Sequence, residues 1–164
     1  MRSIGIAVVL VAVLAGVTTV RADLSDLPAQ YEKVYGKEIK TEPGPKDGVV
    51  VREYEKNEIH VRVTFIGERA HHVRYFKPEG HFSLKEMQSI LDANKGVSGE
   101  WSVIKVKEKQ EPRLKGDGRH WRRNDNAEAF ADFMKVGKEG GKHIVVKSVT
   151  IVTDQWLKNA DKRF

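Results

Sequence analysis

Residues 59–76, IHVRVTFIGERAHHVRYF, decide the fold of this chain. In the first half of this stretch apolar side chains alternate with polar ones, which is the period of a strand with one buried face. Residues 67–69 then favour a turn, and residues 70–77 alternate again. The stretch therefore predicts a β-hairpin in a sheet that is covered on one side.

The register of this hairpin follows from the requirement that the apolar positions of both strands share one face. That requirement pairs Thr64 with His72 and Phe65 with His71, and it leaves a turn of three or five residues. Adjacent residues on a regular strand point to opposite faces, so His71 and His72 are predicted to lie on different sides of the sheet.

Two amphipathic helices flank the hairpin. The first is predicted to start with Ser25 or Asp26 as the N-cap and to end at Gly36. The second begins with a capping box, in which the Ser83 hydroxyl and the Glu86 carboxylate each accept a bond from a backbone N–H at the helix start. Glu86 thus has a predicted structural role.

Other segments complete the prediction. Residues 41–48 contain two prolines and two glycines and are read as a loop. One strand is predicted on each side of a turn at residues 124–126. The last β-rich run changes phase, which indicates a bulge near residues 147–148. Thr153 or Asp154 is expected to cap a short terminal helix.

The predicted order is helix, three strands, helix, about four strands and a short helix. Because most connections are short, neighbouring strands must be antiparallel. We predict an α+β fold with one antiparallel sheet of about six to seven strands, two main helices packed on one face, a short C-terminal helix and a tandem helix-plus-meander arrangement. The expected core comprises Leu27, Tyr31, Val61, Val63, Phe65, Val73, Tyr75, Leu84, Met87, Leu91, Val103, Trp121, Phe130, Val149 and Ile151.

The N-terminus has the pattern of a secretory signal. A basic first segment precedes an uncharged run from residue 4 to residue 20, and the small residues Val20 and Ala22 stand where cleavage after Ala22 requires them. We predict a signal peptide at residues 1–22 and a single α+β domain at residues 23–164, exported to the periplasm or the outside of the cell. An uncleaved N-terminal anchor is the weaker alternative, since the apolar run is shorter than the roughly 20 residues that span a bilayer.

Charge and cysteine content narrow the class of protein. Loss of Arg2 and Arg21 would lower the 29 basic residues to 27 against 23 acidic ones, so the net charge would fall from +6 to +4. Such a small surplus is typical of a solvated surface rather than a nucleic-acid groove. The chain has no cysteine, which excludes disulfides and a lipid-modified N-terminal cysteine.

The helix ending in Val34-Tyr35-Gly36-Lys37, a tyrosine-containing strand and the 59–76 hairpin together resemble the repeat of the β-lactamase inhibitor protein-like fold. They are also similar to small outer-membrane assembly lipoproteins that share this repeat, and to exported bacterial proteins with a capping-box helix followed by a WRR-type strand. The resemblance covers residues 26–77 and extends less clearly over 83–152. It implies a protein-binding or structural role without catalysis, and the missing cysteine departs from the lipoproteins.

Metal binding and hydrolysis find little support in the sequence. The six histidines include no HExxH spacing, and His60 stands four residues, roughly 13 Å, from the position opposite His72. No serine lies in a GxSxG context, whereas a pair of carboxylates that converge in space stays open. We predict no metal, no cofactor and no catalytic residue.

One short strand is a candidate binding surface: Arg119, His120, Trp121, Arg122 and Arg123. If Trp121 is exposed, its ring between two guanidinium groups forms a platform for an anionic or aromatic partner. If Trp121 is buried, it belongs to the core, which is where we place it together with Trp101 and Trp156.

We therefore predict an exported, non-catalytic binding or accessory module that contacts another protein in the cell envelope. One alternative is a binder of anionic polymers, either polysaccharide or nucleic acid, through residues 119–123 and the basic C-terminus. The other is a hydrolase with an unrecognised carboxylate and histidine site. No membrane span is expected after signal cleavage.

Overall fold

The computed structural model describes residues 23–96, 99–104, 119–136 and 143–160. The predicted signal peptide, the charged segment at residues 105–118 and the last four residues lie outside this part. The helices are α1 (Pro28–Tyr35), α2 (Leu84–Ala93) and α3 (Asp154–Ala160). The strands are β1 (Lys40–Pro43), β2 (Val49–Lys56), β3 (Ile59–Ile66), β4 (Arg69–Phe76), β5 (Ser102–Val103), β6 (Arg119–Arg122), β7 (Glu128–Val136) and β8 (His143–Val152).

All these strands form one antiparallel sheet in the order β1-β2-β3-β4-β8-β7-β6-β5. Each half of the chain supplies one helix followed by four strands, and the halves join where β4 pairs with β8. The α+β antiparallel class is therefore confirmed. Within the described ranges, no helix is both long and apolar enough to cross a membrane.

Among the residues described, the sheet has eight strands rather than six or seven because part of the predicted loop at 41–48 is a strand. β1 pairs with β2, and its last residue, Pro43, stands opposite Val50. A proline lacks the N–H that a central strand would need, but the edge position of β1 tolerates it. The prediction of a loop throughout 41–48 was wrong for this reason.

The β3–β4 register confirms one predicted pair and corrects the other. Thr64 lies opposite His72, as predicted, but Phe65 lies opposite Ala70 because the register shifts after Thr64. The turn is consequently two residues long, with Gly67 at φ +59°. The shift also leaves His71 buried instead of on a regular strand face.

The predicted bulge in β8 is confirmed. Ser148 lies opposite Asp132, whereas Val146 lies opposite Phe133, so Lys147 is the extra residue. Past the bulge, Val146 exchanges two backbone hydrogen bonds with Phe82, with N···O distances of 2.8 and 3.0 Å. This bridge fixes the entry of α2 over the sheet.

The start of α1 differs from the prediction. Its N-cap is Leu27, without a side-chain hydrogen bond, so the assignment of Ser25 or Asp26 as cap was wrong. Asp26 instead accepts a bond from the backbone N of Asp23 at 2.7 Å. The predicted end at Gly36 is confirmed, and φ there is +91°, in the left-handed region that favours glycine.

The core lies between the sheet and the helices α1 and α2. The Tyr31 ring of α1 packs against Tyr54 and Phe65, with centroid distances of 5.9 and 5.6 Å. Tyr75 of β4 bonds to Asn94 at the end of α2. Most of the predicted core is buried, including Trp121 at 6% exposure.

Four predicted core residues are corrected. Leu27 and Leu84 stand at helix starts and are 38% and 48% exposed. Val103 lies on the edge strand β5, which pairs with a described strand on one side only, and is 64% exposed. Phe130 is half-buried and lies on the opposite face of the sheet. Periodicity identifies an apolar face but not where the cover over it stops.

The capping box of α2 is confirmed by bonds in both directions: Glu86 N donates to Ser83 Oγ at 3.2 Å, and Ser83 N donates to Glu86 Oε2 at 2.8 Å. The bond from Lys77 and the bonds from Ser83 lower the pKa of Glu86 from 4.5 to about 2. A depressed carboxyl pKa means that this stabilisation is present above pH 4.5 and is lost as the pH falls toward 2.

Replacement of Ser83 by alanine is therefore expected to lower the free energy of unfolding by about 1 kcal/mol at neutral pH. The difference from the wild type should narrow between pH 4.5 and 2, since protonation of Glu86 weakens the box in the wild type. Urea denaturation at several pH values measures both effects. Ser89→Ala, which alters an exposed hydroxyl on the same helix, is the control; an equal loss there would contradict the capping role.

Candidate functional site: the open face of the sheet

The face of the sheet opposite α1 and α2, called the open face below, brings together side chains from several strands. Direct cross-strand pairing arranges them in three rows. The middle row contains Glu53, Arg62, Arg74, Thr150, Phe130 and His120. The rows beside it contain Thr64, His72, Val152, Glu128 and Arg122, and His60, Phe76, Ser148 and Asp132.

The candidate strand 119–123 contributes less to this face than its sequence suggests. Trp121 and Arg123 point to the helix side and are each 6% exposed, so Trp121 is a core residue and the aromatic platform is not formed. His120 and Arg122 point to the open face, where His120 is buried and Arg122 exposed. Arg119 is exposed and packs over the Phe133 ring at 5.5 Å.

Carboxylates neutralise most of the positive charge of this strand. Arg122 donates two bonds to Glu128 Oε1, at 3.0 and 2.6 Å, and the His120 Nε2 lies 2.8 Å from Glu128 Oε2. The His120 ring also stacks on Phe130 with a centroid distance of 4.4 Å. These side chains hold one another in place and leave little free charge for a ligand.

A cleft of about 200 Å³ lies on the open face beside α3. Its lining is mixed: His72, Phe130, Asp132, Thr150, Val152, Trp156 and Leu157. The Trp156 ring packs on His72 with a centroid distance of 5.0 Å, so Trp156 lies on this face and not in the core predicted for it. One wall of the cleft is thus helical, and its floor is the sheet.

Two hydrogen bonds fix α3 above the sheet. The Thr153 hydroxyl accepts from Trp156 N at 3.1 Å, which confirms that a residue at 153–154 caps this helix. The same hydroxyl lies 2.9 Å from His71 Nδ1, in the bulge of β4. Burial lowers the pKa of His71, so this contact holds a neutral ring. The unpredicted bulge therefore positions the wall of the cleft.

Arg74 stands next to the cleft, since its cross-strand neighbour Thr150 lines it. Arg74 also lies directly opposite Arg62, and like charges in such a pair repel. Arg62 bonds to Glu42 at 2.6 Å. Arg74 is exposed, lies over the Phe76 ring at 5.7 Å and has no carboxylate partner among the residues that the structure describes. Its guanidinium group is available to an acidic group from outside.

The histidines do not gather. His60 Nδ1 lies 2.6 Å from Glu53 Oε1, and His60 stands four residues along β3 from Thr64, the cross-strand partner of His72. A second cleft of about 300 Å³ is lined by Glu55, Glu58, His60, Pro78 and Glu79. In the described ranges, no three histidine, aspartate or glutamate side chains are placed to hold a metal ion.

Sequence reasoning missed Arg74, Phe130 and Trp156 as parts of one surface. Alternation places Arg74 and His72 on the outer face of β4, and that signal was available. The position of Trp156 was not, because it depends on the contact between α3 and the β4 bulge, which are far apart in the chain.

These features define an α+β protein whose antiparallel sheet carries an open, mixed polar and aromatic face. No protein-family model matches the chain, and no curated protein matches it. A cysteine-rich secretory protein from Staphylococcus aureus is similar in structure, with a TM-score of 0.50 and 12% sequence identity over 84% of this chain and 47% of that one. The chain thus spans about half the length of that protein, and the similarity concerns the fold alone.

Proposed function

We propose that this chain is an exported, non-catalytic module that binds another protein through the open face of its sheet. The observation that carries the proposal is the position of the exposed Arg74 at the margin of the α3 cleft. A cavity with aromatic and apolar walls, a few polar groups and a charge at its margin is the usual arrangement of a pocket that anchors one side chain of a partner.

The lining of the cleft defines the partner's chemistry. Trp156, Phe130 and Val152 suit an apolar or aromatic side chain. Arg74 suits a carboxylate next to it. Asp132 uses one oxygen to accept from Ser148 at 2.7 Å, and its other oxygen suits a backbone N–H. The occupant is therefore an extended segment of a partner protein that presents an apolar side chain flanked by an acidic residue.

Charge pairing favours this reading over a binder of anionic polymers. Along the predicted basic strand, Arg122 and Arg123 are both committed to carboxylates of the same chain. On the open face, Arg62 is paired with Glu42. A polyanion site needs a continuous row of free cations, and these pairs interrupt it.

The proposal predicts a specific effect of charge reversal at Arg74. The mature chain, immobilised and exposed to an envelope extract of its native cells, should capture a protein that Arg74→Glu binds at least about tenfold more weakly, a loss of roughly 1.4 kcal/mol. The reason is that Arg74→Glu places a like charge opposite the partner's acidic residue. Mass spectrometry and titration of the purified partner measure the effect.

Lys85→Glu is the matched control, because it makes the same charge change at an exposed position on α2, on the other side of the sheet. It should bind like the wild type, and Trp156→Ala should bind weakly. Equal capture by all the variants would contradict the proposed surface. Retention of a polyanion that collapses at moderate salt would support the polymer alternative instead.

We also propose that the chain arose by tandem duplication of a helix-plus-meander unit. Two successive helix-plus-meander units join through β4 and β8, the order expected of a tandem duplication. The same arrangement is consistent with the resemblance to the β-lactamase inhibitor protein-like repeat, which we retain as part of the proposal.

A further inference from the structure

The segment just before α1 is tied into the fold from its first described residue. Leu24 is 6% exposed, Ser25 N donates to Ala70 O at 2.8 Å, and Ala70 N donates to Asp26 O at 3.1 Å. The Asp23 carbonyl accepts the hydroxyl of Tyr31 at 2.8 Å. Residues 23–26 thus link α1 to β4.

The Asp23 carboxylate reaches the other half of the chain. Both of its oxygens accept from Arg123 Nη1, each at 3.0 Å. Arg123 is buried and also bonds twice to Asp125, at 2.9 and 2.7 Å, and to the carbonyl of Asn94. Asp23 is therefore a fixed structural residue, although it directly follows the predicted signal peptide.

The backbone nitrogen of Asp23 lies 2.7 Å from Asp26 Oδ2. We propose that the chain is cut between Ala22 and Asp23 and that the new α-ammonium group of Asp23 forms an ion pair with the Asp26 carboxylate. Hydrolysis of this amide by a signal peptidase consumes one water, leaves a carboxylate on Ala22 and leaves an amino group on Asp23, which takes up a proton. This inference rests on the export that forms part of the proposed function.

Local charge favours the pair. Three carboxylates, Asp23, Asp26 and Asp125, lie in this cluster with one buried guanidinium. Arg69 stands at its margin, where it donates to the carbonyl of Ser25 at 2.9 Å. In the uncut chain the Asp23 nitrogen is a neutral donor, whereas after cleavage it adds a positive charge to an acidic site. A charge-assisted bond of this kind is roughly twice as strong as a neutral one.

The ion pair has a defined pH dependence. An α-amino group ordinarily has a pKa of about 7.7–8.0, and a neighbouring carboxylate raises it. Stability from a raised amine pKa is fully present below the ordinary value and is lost as the pH rises through the raised value. The site also contains the carboxyls of Asp23, Asp26 and Asp125 and the guanidinium groups of Arg69 and Arg123. The facing Tyr31 hydroxyl keeps its proton over this interval, because burial raises the pKa of Tyr31 well above 10.

The test compares chains that begin at Asp23 and at Ala22, each with Asp26 and with Asp26→Asn. Every described core residue lies at Leu24 or beyond, so both chains contain the whole core. The Asp23 amino group should titrate about one pH unit above its ordinary value by NMR, and the shift should disappear in Asp26→Asn. Adding Ala22 should lower the unfolding midpoint in the Asp26 background but not in the Asp26→Asn background.

The ion pair is overturned if the pKa of the Asp23 amino group is not raised. It is also overturned if adding Ala22 lowers the unfolding midpoint equally in the Asp26 and Asp26→Asn backgrounds. N-terminal sequencing of the full chain after expression in an exporting bacterium should give Asp23, and any other first residue overturns the cleavage site. Both results are separate from the proposed function, which fails when the chain beginning at Asp23 captures no protein that depends on Arg74.

Discussion

Replacement of Arg123 by methionine is expected to lower the free energy of unfolding by about 3–5 kcal/mol. The guanidinium group is 6% exposed and holds Asp23, Asp125 and the Asn94 carbonyl at once. Methionine fills part of the space but donates no hydrogen bond, so the mostly buried Asp23 carboxylate loses its partner. Burial already raises the pKa of Asp23, and Arg123, together with the backbone N–H of Leu24, opposes that effect.

The measurement is equilibrium denaturation by urea at several pH values. The control is Arg119→Met, which makes the same change at the exposed first position of β6. Its free energy of unfolding is expected to stay within about 0.5 kcal/mol of the wild-type value. The difference in free energy of unfolding between Arg123→Met and the wild type should shrink in acid, because protonation neutralises the unpaired Asp23 carboxylate. A loss as small as that of Arg119→Met would show that the network contributes little.

Replacement of Tyr31 by alanine is expected to lower the free energy of unfolding by about 3–5 kcal/mol, because it removes the fully buried ring that α1 packs against the sheet. Tyr31 is fully buried, and its centroid lies 5.6–6.1 Å from the rings of Phe65, Tyr54 and Tyr35. No other side chain of α1 is buried. The cavity cannot be refilled without moving the helix.

Tyr31→Phe separates packing from hydrogen bonding. It keeps the ring and loses only the bond to the Asp23 carbonyl, so we expect a loss of about 1 kcal/mol. Chemical denaturation compares the two variants directly. Losses of similar size would mean that the hydroxyl, and not the stacked rings, holds α1 in place.

Much of the fold could be predicted because local physical rules decide it. Alternation over residues 59–76 identifies both strands of the hairpin, and the Thr64–His72 pair follows from that pattern. The phase change near Lys147 identifies the bulge in β8. A capping box requires only two residues three positions apart, so Ser83 and Glu86 could be read directly.

The predictions that failed concern edges and register shifts. β1 contains Pro43, which local rules assign to a loop, and only its place at the edge of the sheet makes it a strand. The bulge at His71 leaves no mark in the alternation. Leu84 follows the apolar period of α2, yet it stands at the start of the helix, where its side chain is exposed.

The candidate site shows the same division. The charges of residues 119–123 suggest a basic surface, but their ion pairs join residues as distant as Asp23 and Arg123. The cleft beside α3 depends on long-range contacts such as the one between His71 and Thr153, which are 82 positions apart in the chain.

The sequence by itself determined most of the elements, their antiparallel arrangement and the buried face of the β3–β4 hairpin, because side-chain periodicity and capping act over a few residues. Only the tertiary structure decided which charges are free, where the cleft lies and how Asp23 is held. These depend on contacts between segments that are remote in the chain, and on which side chains lose access to water when those segments meet.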